Sequence, residues 1–207
     1  MKKFCIAIPH IQRRHSYILQ TLESLFFEKA LQNIVVVVCD FGLVRSADLE
    51  KAKEQFKDKI ETGSMIIERF EGKSPNLSGL PRNFGDDERR VQWRSKQAWD
   101  AACLMERCSG LASYHIHLED DVIAHKNYRT KIDALIDFRR GEWFSIKLSP
   151  QGATAIMING QHLEKLSAFL KLLYDEMLLD WLINEFIALK DKTGLPSHVV
   201  SGCFKSR

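Results

Sequence analysis

With 207 residues, 45% of them hydrophobic and 28% charged, the chain can build one substantial core and has an ordinary soluble-protein composition. Its formal charge of +3 is too small, and its basic residues too scattered, to argue for nucleic acid as a partner. Five cysteines without CxxC spacing fit reduced, mostly buried thiols better than a disulfide framework or a structural zinc site. The apolar run before Pro9 is about six residues, shorter than a signal h-region, and no later stretch approaches the ~18 apolar residues of a membrane span. A cytoplasmic location is expected, with no transmembrane segment and with peripheral membrane association left open.

In chain order, residues 4–8 predict a first strand stopped by Pro9. An amphipathic helix follows, with Ile18, Leu22, Leu25 and Phe26 on its apolar face. The β-branched run at 34–38 predicts a strand buried on both faces. Ser46 is placed to cap a helix running through Phe56, with Asp48 and Glu50 in its first turn. A third short strand is predicted at 65–67. Residues 71–87, rich in Gly, Pro, Asn and Ser, predict a loop of a length that is often functional. A long helix at 88–107 leads to a strand from Tyr114, a helix at 128–138, a strand at 143–148 and two helical segments near 161–174 and 176–190. Strand and helix alternate through the first two-thirds. This predicts one α/β domain over residues 1–207, with a parallel or mixed sheet and helices on both faces.

The run Tyr114-His-Ile-His-Leu-Glu-Asp-Asp-Val-Ile123 breaks from alternating apolar residues into three carboxylates, Glu119, Asp120 and Asp121. Such a strand end is where an open α/β sheet places ligand chemistry. Alternation points Glu119 and Asp121 one way and Asp120 the other. The acids repel unless neutralised, and hard oxygen donors suit Mg²⁺ or Mn²⁺, through which a diphosphate would be held. An acidic turn capping the next helix is the plainer alternative. A Walker-B strand would need a phosphate loop, and Gly72-Lys-Ser74 has Ile67 where the earlier glycine belongs.

On the helix after the loop, Arg90, Arg94 and Gln97 share one face, suited to phosphate or to ion pairs with Asp86, Asp87 and Glu88. Pro9-His10 and Asp40 close the first two strands at the prospective ligand edge, where an acid can accept from a ribose or a base. Asp180, among bulky apolar neighbours, is either a desolvated general base or an ordinary first-turn acid. The histidines show no HExxH spacing; His115 and His117 share a strand face, and His198 lies near the chain end, within reach of a site.

Together these segments resemble the N-acetylglucosaminyltransferase IV family, the mannosyl-glycoprotein 4-β-N-acetylglucosaminyltransferases. The strongest likeness is in Phe84-Gly-Asp-Asp-Glu-Arg-Arg-Val-Gln-Trp-Arg-Ser-Lys-Gln97 and in Tyr114 to Tyr128 with Leu118-Glu-Asp-Asp121. Ile8-Pro9 with Arg13, Ser16-Tyr17, Thr21-Leu22, Glu142-Trp143 and Asp180-Trp181-Leu182 add to it in the same order.

The resemblance implies a GT-A fold, Rossmann-like, whose D-x-D-like motif holds a divalent metal (Mn²⁺ or Mg²⁺) on the diphosphate of a UDP-sugar, UDP-GlcNAc foremost. It implies inverting transfer of N-acetylglucosamine to a mannose-containing glycan acceptor. Carried onto this sequence, it gives Glu119, Asp120 and Asp121 the donor motif, with Asp121 the direct metal ligand. Arg90 and Arg94 serve the pyrophosphate or its loop, Pro9, Arg13, Asp40 and Gln97 complete the donor side, and Asp180 is the base. The 71–87 loop would order over the donor.

Three departures are expected to matter. The family's N-terminal anchor and further C-terminal sequence are not seen here. Ser201 stands where the family has a histidine, so either His198 assists the metal in its place or the metal is held by carboxylate, diphosphate and water. Asn184 replaces a family acid. A chain that had lost turnover would remain a noncatalytic nucleotide-sugar or glycan-binding module. A metal-dependent nucleotidyltransferase would need a glycine-rich triphosphate loop, and none is evident.

Overall fold

The computed structural model describes residues 2–27, 33–139, 142–150, 152–200 and 202–206. In chain order these form β1 (Lys2–His10), α1 (Ile18–Phe26), β2 (Ile34–Asp40), α2 (Ala47–Gln55), α3 (Lys57–Glu61) and β3 (Met65–Arg69). After the loop come α4 (Glu88–Cys108), β4 (Ala112–Leu118), β5 (Val122–Ala124), α5 (Tyr128–Phe138), β6 (Ser145–Lys147) and β7 (Ala155–Asn159). The chain closes with α6 (Leu163–Leu172), α7 (Leu179–Lys192), β8 (Ser197–Val199) and β9 (Phe204–Ser206). The main sheet has the order β3-β2-β1-β4-β7-β6-β8, and β5 pairs with β9 in a small second sheet. Strands β3, β2, β1 and β4 are mutually parallel, β7 runs antiparallel between β4 and β6, and β8 is parallel to β6.

Strand alternation divides the interior in two. Phe4, Ile6, Ile8, Val36, Val38, Ile116 and Leu118 face one core with Ile18, Leu22 and Leu25 of α1 and with Leu49, Tyr128 and Ile132. Cys5, Ala7, Val35, Val37, Cys39, Ile156 and Ile158 face the other, against Ala98, Ala101, Leu104 and Met105 of α4 and the apolar faces of α6 and α7. This is the expected mostly parallel sheet with helices on both faces, and every residue of β2 is buried, as its unbroken β-branched run requires.

The first strand outruns its predicted end, because Pro9 lies inside β1. Phe4 N–H donates to Asn33 on the β2 side, so alternate residues turn the N–H-less Pro9 toward β4. Pairing with β4 has already ended at Ala7–His117, and the missing donor costs no ladder bond. Ser46 caps α2 by accepting the Leu49 N–H at 3.3 Å. Strands β5, β7, β8 and β9 were not foreseen: β7 is a short apolar run whose period cannot separate strand from helix, and the other three have three residues each.

The loop before α4 is pinned rather than loose. Trp99 Nε1 donates to Lys73 O at 3.2 Å and the Tyr174 hydroxyl to Asn76 O at 2.9 Å. Its end turns through Phe84 at φ 63 and Gly85 at φ 72, and Asp87 then caps α4 by accepting the Arg90 N–H at 2.8 Å. A left-handed phenylalanine is strained. Its ring stands edge-on to Trp181, centroids 5.1 Å apart, and under the Arg94 guanidinium. Those contacts hold the turn.

Candidate active site at the carboxyl edge of the sheet

Strands β1, β2 and β4 end along one edge, and the three acids follow directly on β4. Glu119 N–H donates to Thr154 O at 3.2 Å, which anchors the turn to the β6–β7 connection. Asp120 is buried, its Oδ2 lying 2.8 Å from His10 Nδ1 and its Oδ1 2.9 Å from Arg13 Nη2. Its backbone carbonyl accepts the Thr21 hydroxyl at 3.0 Å. His10 is in turn fixed on its other nitrogen, 2.9 Å from Ser46 Oγ. Asp120 is thus held from several directions and acts as a strut that aims Arg13.

Asp121 follows it in the turn, with Arg13 Nη1 3.6 Å from its Oδ2 and with a buried Oδ1 that has no hydrogen-bond partner among the described residues. Burial, and then the Asp121 charge, push the Glu119 carboxyl above the usual range, while the Thr154 hydroxyl donates to it at 3.3 Å. Two partly desolvated carboxylates with one orphaned oxygen are a hard donor set that a divalent cation fits.

Beside them opens a cavity of about 300 Å³. Pro9, Arg13, Glu119 and Asp120 line one part of it, and Phe41, Lys96, Gln97, Asp100 and His117 another. Lys96 Nζ sits 2.5 Å from Asp100 Oδ2 and donates to Phe41 O at 3.3 Å. Burial pushes Asp100 up to about 6, against the pull of Lys96. Burial also drives His115 down to about 3 and His117 to about 4, so both imidazoles are neutral.

Several expected site residues lie elsewhere. Arg94 is fully buried, its Nε 3.2 Å from Asp86 Oδ2 and its Nη1 donating to Asp175 O at 3.1 Å. Arg90 is exposed and pairs with Asp86 at 2.8 Å. Both arginines hold the loop turn and neither lines the cavity, so of the two roles expected of them it is loop shaping that the geometry supports. The cavity-facing stripe of α4 is one residue out of that phase: Arg89, Trp93, Lys96 and Asp100, at spacings of four, three and four. That spacing was visible in the sequence but was hidden behind the more basic stripe.

Asp40 spends its carboxylate on its own turn, accepting the Gly42 N–H at 2.9 Å and the Ser46 N–H at 3.3 Å, and lines a different cleft with Arg45 and Arg69. His198 pairs in register with Ile146, three strands from β4 and so about 14 Å away at ordinary strand spacing. It lines a separate cavity with Trp143 and Pro196, and the structure does not bring it to the acids. Ser201 lies outside the described residues. Asn184 accepts from Lys147 Nζ at 2.7 Å. Asp180 is half-buried in the first turn of α7, its Oδ2 close to Gly152, while its neighbour Leu179 lines the cavity. Arg89, Lys96 and Asp100 are the site residues that sequence reasoning missed, while His10 and His117 lie at the edge where the strand ends placed them. His10 in particular acts across 110 positions, on Asp120.

A family model described as the MGAT4 conserved region matches residues 1–200. Alpha-1,3-mannosyl-glycoprotein 4-beta-N-acetylglucosaminyltransferase C of Sus scrofa is 33% identical over 193 residues, 89% of this chain and 40% of the relative. The alpha-1,6-mannosyl-glycoprotein 4-beta-N-acetylglucosaminyltransferase of Gallus gallus is 34% identical over 195 residues, 89% of this chain and 42% of the relative. The chain therefore spans about two-fifths of the length of these curated relatives. Among solved structures, the mannosyltransferase PcManGT from Pyrobaculum calidifontis, in complex with GDP-Man and Mn²⁺, superposes with a TM-score of 0.60 at 8% identity, covering 97% of this chain and 56% of that one. The fold is GT-A.

The corrected phase of α4 is testable by urea denaturation. Arg94→Gln removes a buried charge from Asp86 Oδ2 and from Asp175 O and should lower stability by about 3 kcal/mol, whereas exposed Arg89→Gln should stay within ~0.5 kcal/mol. Equal effects would contradict the assignment.

Proposed function

Because the chain belongs to the MGAT4 conserved-region family, we propose that it is an inverting, metal-dependent glycosyltransferase moving N-acetylglucosamine from UDP-GlcNAc to a hydroxyl of a mannose-containing glycan. The observation that carries this is the orphaned Asp121 Oδ1 in the same turn as Glu119, which lines the cavity together with Arg13.

The cavity suits a donor laid along it. Asp100 accepts the N3–H of a uracil and Lys96 donates to one of its carbonyls, a pairing that cytosine, lacking that N–H, cannot complete. Arg13 and Arg89 offer charge to the diphosphate, and Glu119 an acceptor to a ribose hydroxyl. A divalent cation held by Asp121, with Glu119 beside it, would neutralise the charge that builds on the departing diphosphate.

Asp180 takes the proton of the attacking hydroxyl, on the face of the sugar opposite the leaving group; such help is typically worth about 10²–10⁴-fold. Phe84 and Trp181, both partly exposed and paired edge-to-face next to Asp180, present aromatic surface to the acceptor. Leu77, from the pinned loop, closes the cavity and limits water attack on the donor. The two relatives act on different mannose arms by name, so the arm used here is set by parts of the site other than the shared donor motif. Five unpaired thiols support a reducing compartment, in keeping with a cytoplasmic location.

Two substitutions separate the proposed roles. Asp121→Ala should weaken Mn²⁺-dependent UDP binding by more than the roughly 10–100-fold typical of losing a second-shell partner. Asp180→Asn should leave that binding intact and reduce transfer by about 10² or more, measured as UDP release with acceptor present. Retained turnover in Asp180→Asn removes it as the base.

UDP affinity should also fall, by roughly tenfold, as pH drops through about 6 and Asp100 gains a proton, and Asp100→Asn should abolish that dependence. Unfolding does not mimic this at Asp100. Its folded carboxyl holds the proton more tightly than the unfolded value of 3.8, so its contribution to stability is greatest in acid and is lost as pH rises through about 6. A pH-independent affinity would contradict the role given to Asp100.

A further inference from the structure

Three side chains unused by the donor site meet in the core under α4. Cys5 of β1 and His115 of β4 stand opposite one another in register, and Cys108 is the last residue of α4. Their ligand atoms lie within 4.8 Å of one another, and all three residues are buried. The two thiols lie side by side in this cluster, and neither ring nitrogen of His115 has a partner among the described residues. An imidazole buried with both nitrogens unmet is rare in a packed interior and calls for a ligand.

We propose that Cys5, Cys108 and His115 form a zinc(II) site. Donors about 2.0–2.3 Å from a common zinc lie about 4 Å apart, so the trio has to close by at most about an ångström. Soft thiolates and a neutral imidazole select zinc or copper(I) over magnesium or manganese. Charge decides between those two. Zinc(II) exchanges the two thiol protons, released to solvent, for a neutral two-thiolate set, whereas copper(I) with both thiolates would leave a net negative charge in an apolar core. The fourth position is left to a water, as in other three-ligand zinc sites. Local spacing does not reveal this cluster, because its residues come from three elements. The ion would tie the C-terminal end of α4, the helix that carries Lys96 and Asp100, to the centre of the sheet.

The test uses the full chain refolded with zinc and washed with chelator. Elemental analysis should find about one zinc per chain. Exchange for Co²⁺ should add thiolate-to-metal charge-transfer absorption, which the all-oxygen Asp121 site cannot produce. Cys108→Ala and, separately, Cys5→Ala should abolish both signals while Mn²⁺-dependent UDP binding survives. Zinc-free wild-type protein with no charge-transfer band on adding Co²⁺ overturns the proposal even if neither variant folds. A signal that survives both substitutions, copper in place of zinc, or a Cys5–Cys108 disulfide in reduced preparations also overturns it.

Discussion

Everything at the sheet edge turns on how one buried carboxylate is compensated. Asp120 is 3% exposed, and an acid so deep is tolerated only if its oxygens are matched by donors. His10 takes one oxygen, Arg13 the other, and Ser46 fixes His10 from behind. The end of β1, the start of α2 and the turn after β4 are thereby locked into one unit. Strand β4 ends at Leu118, so the three acids sit in the turn that follows it, where fixing Asp120 inward holds the half-buried Glu119 and Asp121 on either side of it. Arg13, nearly half exposed, reaches Asp121 only at 3.6 Å and leaves its second oxygen unmatched. The site is therefore a by-product of the lock: one acid is consumed so that two others are aimed.

The loop preceding α4 extends that logic to the other wall. Backbone bonds from Trp99 and Tyr174 hold its first half, and the Asp86–Arg94–Asp175 contacts hold its second. Arg94 carries a buried charge with two nitrogens that lack aligned hydrogen-bond partners, and such a group persists only where the surrounding packing is over-determined. Its position over the ring of the strained Phe84, which stands against Trp181, links the loop to the helix that bears Asp180. The loop and the first turn of α7 are coupled through this one guanidinium.

Much of the fold was legible because its cause is local. The β-branched run of β2, the Ser46 cap and the length of α4 follow from periodicity and capping, and the acidic strand end from composition alone. The rest required knowing which elements become neighbours. Arg90 and Arg94 look like a phosphate stripe, but the helix is rotated so that Arg89, Lys96 and Asp100 face the cavity instead. His198 is close to the chain end in sequence and three strands away in space. Asp40 was consumed by its own turn, a local bond that competed with any ligand. His10 could not be matched to Asp120 by any rule of spacing.

The most direct check is anomalous scattering from crystals soaked with Mn²⁺ and UDP. A manganese peak should sit about 2.2 Å from Asp121 Oδ1, with Asp120 still bonded to His10 and Arg13. A peak on Asp120 instead, or none at this edge of the sheet, would contradict the division of labour among the three acids.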